Sequence, residues 1–383
     1  MKRGNWAFIT LVTLSLCNAC LSPSNKQEIE AENVVSIDIK QATSLDFKEY
    51  FDTINYIPLE TNDDALIGEI TKLYYTENGF LIFDQKTMGV FLFSTDGHFI
   101  RKIGRKGEGP DEYLFINDIQ YDAERQVIYV HERYRNSIYT YDCMGNLLEK
   151  TSPAVLSFNS FFRTKDGCWV YSCFKKNNPE CYNLTLLSSD LQTVRKHYFP
   201  QKDFINITFS PTFTGDTDGR VFFYYPSSNV IYELDGTDAV PYLRVDFGDH
   251  TIPYDKIVEM ENMEECDRLL ASHTYLGNID RCFVCQDHVY FSFSETGTGI
   301  KRGYKCFYDT ISGKGYVFNA PFMSSAPYPI SSNLLYASGS MLVYPIYPAL
   351  FSENSFEKLS QSFSSNIDFD SNLILAVCHL KSF

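Results

Sequence analysis

Gly79-Phe-Leu-Ile-Phe83 followed by Val90-Phe-Leu-Phe-Ser-Thr-Asp-Gly97 is answered further on by Val127-Ile-Tyr-Val130 followed by Ile138-Tyr-Thr-Tyr-Asp-Cys-Met-Gly145. The two closing glycines lie 48 residues apart. Each copy reads as a pair of short apolar strands joined by polar turns, and a repeat of this length made of short strands is the signature of a β-propeller blade. Related cadences recur at Cys168–Tyr171 with Tyr182–Leu187, at Gly219–Tyr225 with Val230–Gly236, at His288–Phe293 with Lys305–Tyr308, and at Ser340–Tyr344. The expected fold is all-β, a six-bladed β-propeller over residues 34–383.

Composition agrees. Phe and Tyr number 31 and 27 in 383 residues, and aromatic side chains fill pleated, half-buried surfaces. Radial repetition lets one architecture absorb such a length without a second core. The formal net charge of −15 repels nucleic acid and anionic lipid surfaces, so no nucleic-acid partner is expected.

Strand-like pieces at Val34–Ile39 and Ile54–Glu60 precede the first clear blade. The last strand, Asn372–Lys381, is as apolar as a central one. An open apolar edge invites aggregation, so this strand is expected to pair with Ile54–Leu59 and close the ring. Residues 254–273 depart from the cadence: Ile257, Met260, Met263, Cys266, Leu269 and Leu270 recur at helical spacing after Pro253. They predict one helical insertion, packed on the rim or serving as a lid over the channel.

Residues 1–19 read as a secretory signal, with Lys2 and Arg3 before the apolar stretch Trp6–Leu16. Ala19 before Cys20 matches a lipidation site, with Cys20 becoming the acylated first residue and residues 20–33 a polar tether. The other reading is an ordinary cleaved signal and a soluble secreted protein. The implied partner is a membrane, reached through the lipid.

Of the 11 cysteines, loss of Cys17 and lipidation of Cys20 leave an odd number, which no complete disulfide framework uses. Cys168, Cys173 and Cys181 are close enough in sequence for one local disulfide. Cys282 and Cys285 have metal-like spacing, but in a strand residues three apart face opposite sides.

Lys102-Ile-Gly-Arg-Lys-Gly-Glu-Gly-Pro-Asp-Glu-Tyr113, Tyr56-Ile-Pro-Leu-Glu-Thr61 and the closing strand resemble the six-bladed β-propeller lipoproteins of Bacteroidetes, whose blades are akin to NHL repeats. Asp111 stands where many of these relatives carry Gly. The resemblance implies fold and a cell-envelope location, with the outer membrane as the expected site. It carries over no catalytic residue. Gly104, Gly107 and Gly109 with Pro110 read as an inter-blade turn whose glycines permit positive φ; a phosphate-cradling loop would need a Gly-Lys-Ser/Thr ending and a following helix.

Propeller ligands meet the channel lined by the innermost strands, here expected near Glu69–Lys72, Ile116–Ile119, Phe158–Ser160 and Asn278–Arg281. Candidate contacts are Lys72, Asn117, Asp118, Asn159, Asp280 and Arg281, which could equally bond neighbouring strands. No nucleophile motif stands out, and no catalytic residue is assigned. The leading expectation is a non-catalytic binding or assembly module for a protein, peptide or glycan, without a cofactor. The alternatives are a lactonase or lyase holding calcium or zinc through Asn117, Asp118 and Asp280, and an accessory component of glycan or peptide uptake. Asp52-Thr53-Ile54 and Asp309-Thr310-Ile311 fit an O-glycosylation pattern of Bacteroidetes envelope proteins, at Thr53 and Thr310.

Overall fold

A computed structural model of the chain describes residues 29–381 except 156–157, 173–181, 201–211, 227, 258–259, 261, 297–300 and 352–366. The expected signal, Cys20, most of the tether, Cys173 and Cys181 lie outside the described residues.

The N-terminal segment holds β1 (Asn33–Ser36), α1 (Phe47–Tyr50) and β2 (Phe51–Pro58). Blade one is β3 (Ile70–Thr76), β4 (Gly79–Asp84), β5 (Gly89–Phe93) and β6 (Phe99–Lys102). Blade two is β7 (Ile116–Asp122), β8 (Val127–Glu132), β9 (Ser137–Asp142) and β10 (Leu147–Thr151). Blade three is β11 (Ser160–Arg163), β12 (Cys168–Tyr171), β13 (Tyr182–Leu187) and β14 (Val194–Pro200). Blade four is β15 (Phe213–Gly215), β16 (Val221–Phe223), β17 (Val230–Asp235) and β18 (Asp238–Asp246). After α2 (Tyr254–Ile257) and α3 (Met263–Ala271), blade five is β19 (Leu276–Cys285), β20 (His288–Glu295), β21 (Gly303–Asp309) and β22 (Lys314–Phe318). Blade six takes β23 (Tyr336–Ser338), β24 (Met341–Ile346) and β25 (Ile374–Leu380) from the C-terminal region, with β2 as its outer strand. The protein is a six-bladed β-propeller.

The blades bury both faces, which explains their almost unbroken apolar runs. Successive strand residues point to opposite sides, so Leu81 and Val90 pack toward blade two with Val130 and Tyr139, while Ile82 and Phe91 pack toward blade six with Val343 and Leu375. Among the described residues, an apolar cluster of this kind fills each of the six junctions between neighbouring blades.

The expected closure is present: β2 runs antiparallel to β25, with Ile54 opposite Cys378 and Pro58 opposite Ile374. The strand-like piece at Val34 is a strand, and its pairing is one that the sequence reading left open. β1 adds in parallel to β18 and becomes a fifth strand of blade four. Val35 and Ile37 are drawn into the apolar junction of blades four and five. The chain then crosses the edge of blade five, where Thr43 pairs with Phe318, and reaches blade six. Residues 33–58 thus form a belt over three consecutive blades.

The predicted single helix over 254–273 is two short pieces. Asn262 interrupts the run and caps α3, its side chain accepting from the Glu265 amide at 3.1 Å. Ile257, Cys266 and Leu270 do face inward as the spacing required, and with Ile252 they form a small cluster separate from the blade junctions.

Candidate functional site

Six first strands, β3, β7, β11, β15, β19 and β23, surround the centre of the ring. They encircle a cavity of about 700 Å³. Its wide mouth lies on the face carrying the turns from first to second strands, at Asp122–Arg125, Thr164–Asp166 and Asp216–Arg220. Five half-buried rings, Tyr74, Tyr121, Phe162, Phe283 and Tyr336, line it from blades one, two, three, five and six.

The turn after β17 also lines this mouth, through Leu234, Asp235 and Gly236. Because β18 starts at that turn and β1 runs parallel to it, the N-terminal segment enters the disc on the wide-mouth face. The link from β18 to β19 lies on the opposite face, and so do α2 and α3. They are no lid over the wide mouth.

First strands splay too far apart to exchange backbone bonds throughout, and polar side chains bridge them instead. Lys72 Nζ lies 2.6 Å from Asp118 Oδ1 and donates to Ile119 O at 3.0 Å. Asp118 Oδ2 accepts from the Phe161 amide of blade three at 3.1 Å. Asn117 donates to Phe158 O at 2.9 Å, and Gln120 exchanges two bonds with the Arg163 backbone. Lys72, Asn117 and Asp118 therefore come together as buried ties among blades one to three. Burial raises the Asp118 carboxyl above the ordinary carboxylate range, against the pull of Lys72 and two backbone amides. Asn159 is buried just ahead of β11, its backbone amide bonded to Tyr171 O at 2.7 Å.

Asp280 and Arg281 stand on blade five, opposite blade two across the ring. Here β19 is irregular: its register shifts on both sides of Asp280, and Asn278 and Arg281 adopt φ of +53° and +46°. Bulges re-aim side chains, and left-handed backbone at a residue other than glycine is sparsely populated. The Arg281 guanidinium lines the cavity and meets Ile70 O of blade one at 3.5 Å. By contrast, Arg220 pairs with Asp216 at 2.7 Å, and Arg163 stacks on Tyr129 with 4.7 Å to the ring centroid.

Two further sequence expectations meet their geometry here. Cys282 packs in the junction of blades four and five and Cys285 in that of five and six, on opposite sides of β19. Cys168 is a free, buried thiol. Among the described residues no group of three His, Cys, Asp or Glu side chains is placed to hold a metal. Thr53 is exposed on β2, and Thr310 follows β21 with its hydroxyl donating to Asp287 O at 3.1 Å.

The glycine-rich loop joins blade one to blade two as expected, but for a different reason at two positions. Of its three glycines only Gly104 has positive φ, +67°. Gly107 and Gly109 make room for Glu112, since a Cβ on Gly107 would collide with its carboxylate. Glu112 accepts from the Gly109 amide at 2.9 Å, and Arg135 clamps the loop through Gly109 O and Glu112 O.

Sequence reading missed β15 and β23, each only three residues long and too short to show alternation. Lys305, half-buried on β21, is a further polar side chain that the sequence reading left out. The one available signal was a lysine inside the otherwise apolar and aromatic Tyr304–Tyr308.

A family model described as a domain of unknown function, DUF4934, matches residues 32–379. A solved structure of a Bacteroides fragilis protein described as exported has 17% identity and a TM-score of 0.71, covering 91% of this chain and 100% of that one. A DUF4221-family protein of Bacteroides vulgatus has 11% identity and a TM-score of 0.54, covering 86% of this chain and 97% of its own. These likenesses concern the fold alone. No curated protein matches the sequence.

Proposed function

The chain belongs to the DUF4934 domain family, and we propose that it is an envelope-anchored, non-catalytic binding module whose ligand enters the wide mouth of the channel. The observation that supports this reading is the cavity of about 700 Å³, walled by Tyr74, Tyr121, Phe162 and Tyr336 and reached by Arg281. Concave sites of this size suit small ligands and chain ends, and here the rings stand beside charged turn residues such as Asp122, Arg125 and Asp216. Aromatic faces take sugar rings or apolar peptide side chains, so a glycan or a peptide is the expected class of partner.

In this reading Cys20 carries the lipid, as in the lipoproteins that the sequence resembles. The tether then spans at most about 45 Å when extended. Since the chain enters on the wide-mouth face, the tether leads to the membrane from that side of the disc.

The test is a glycan and peptide binding screen on the purified protein, repeated with Tyr121→Ala and Tyr336→Ala. A hit in the channel weakens by about tenfold with either change, the scale of one lost ring contact. Stoichiometric calcium or zinc whose removal abolishes turnover of a lactone or glycan overturns the reading.

A further inference from the structure

Arg281 also lines a second opening. A slot of about 20 Å³ lies between blades five and six, bordered by Arg281, Ser292, Lys305, Ser332 and Asn333 along with ring and apolar atoms. It lies toward the end of the channel opposite the wide mouth, where β21 begins and where the chain enters β23. Arg281 borders both spaces, and its guanidinium reaches Ile70 O of blade one at 3.5 Å.

The slot has two cations and no carboxylate in its lining. That is unusual in a chain of net charge −15. Lys305 sits on a strand hydrogen-bonded on both sides, opposite Ser292 and Phe318. Among the described residues its ammonium has no acceptor. The hydroxyls nearby are already committed, Ser292 to Asp280 O at 2.9 Å and Ser332 to Ala320 O at 2.6 Å. Burial pulls the Lys305 ammonium below its ordinary range. A half-buried cation without a counter-charge is costly, and an anion is what would relieve it.

We propose that Arg281 and Lys305 form a carboxylate subsite, which takes the acidic end of the ligand admitted by the channel. A space for about one water-sized group matches the tip of a flat carboxylate better than a tetrahedral phosphate. The bulged backbone brings Arg281 to the edge that channel and slot share, and Lys305 closes the slot behind it. This subsite rests on the binding-module reading, and it narrows the ligand to an acidic sugar or a peptide with a free C-terminus.

Acetate is the minimal probe, titrated against the full mature chain at constant ionic strength with thermal denaturation and calorimetry as readouts. Glucuronate and an unblocked dipeptide form the two source arms, each compared with the amide that removes its carboxylate charge. Saturable binding is expected for acetate, tighter binding for one of the two arms, and at least about tenfold weaker binding for both amides, the loss that follows when a buried cation is left unpaired. Lys305→Met and Arg281→Met should each weaken binding to the same extent. Lys305→Met keeps the size of the side chain and removes a poorly solvated charge, so it should fold normally.

Absence of saturable acetate binding, or equal binding by both variants, overturns the subsite. A carboxylate-bearing ligand that binds the wide mouth equally well in Lys305→Met leaves the binding module standing and removes only the subsite. Acetate binding with no hit in the glycan and peptide screen, both source arms included, overturns the subsite together with the binding module.

Discussion

The Lys72 ammonium and the Asp118 carboxylate, 2.6 Å apart, join blade one to blade two in the wall of the channel. Asp118 also holds the Phe161 amide of blade three. Removing one partner of a buried pair leaves an uncompensated charge, so Asp118→Ala should cost about 3–5 kcal/mol. Lys72→Met with Asp118→Leu should recover most of that loss. Urea unfolding of the three proteins checks this, and an Asp118→Ala protein of unchanged stability would contradict the tie.

Ring closure can be locked covalently. Ile54 faces Cys378 across the antiparallel pair of β2 and β25, and both side chains belong to the same apolar cluster. Ile54→Cys should oxidise to a disulfide with Cys378 and stabilise the fold by about 2–4 kcal/mol, reversibly on reduction. A free thiol at Cys378 after oxidation of a folded variant argues against the register.

His131 is fully buried, stacked on Phe158 with centroids 3.8 Å apart, and its ring nitrogens have no partner among the described residues. Burial, with a smaller push from Arg133, holds its pKa down to about 3. The unfolded chain therefore binds a proton below a pH of about 6.5 that the folded one refuses. This contribution is complete above that pH and is lost as pH falls toward about 3, at up to about 1.4 kcal/mol per pH unit. His131→Leu should flatten the acid limb of stability against pH, and parallel curves for the two proteins would refute the assignment.

The insertion between blades four and five should be dispensable for the ring. Its apolar residues Ile257, Cys266 and Leu270 pack mainly with one another and Ile252. Replacing residues 254–271 by a short Gly-Ser link should preserve the β-type circular dichroism and cooperative melting. Loss of either would place the insertion within the folding core.

Cys20→Ala should move the protein from the membrane fraction to the soluble one. Unchanged fractionation would remove the lipid anchor from the proposed function. The intact mass of the native protein offers a second check, since an excess beyond the acyl groups is expected if Thr53 or Thr310 carries a glycan.

Blades one and two are legible in the sequence because a pair of apolar strands in each repeats with its turns, and closure is legible because the terminal strand is too apolar to stay at an edge. The destination of β1 is not. A parallel pairing with β18 depends on where the chain end is led in space, and the residues of Val34–Ile39 carry no mark of it. The break at Asn262 is readable in principle, since Asn followed three residues later by Glu265 is a capping pattern. In the channel, Arg281 stands among the sequence candidates, but its role comes from two bulges that no periodicity announces. Lys305 is hidden because a strand pattern does not say which neighbour its polar exception faces.

The belt has a consequence for the order in which the protein is made. Residues 33–58 emerge from the ribosome early, yet β1 needs β18, Thr43 needs Phe318, and β2 needs β25. The first segment synthesised is among the last to find partners. Until the C-terminal strand arrives, its unpaired edges stay open to other chains, and long-range pairings of this kind form slowly. A chain truncated before Ile374 should fail as a whole, because the segment that loses its partner is at the other end.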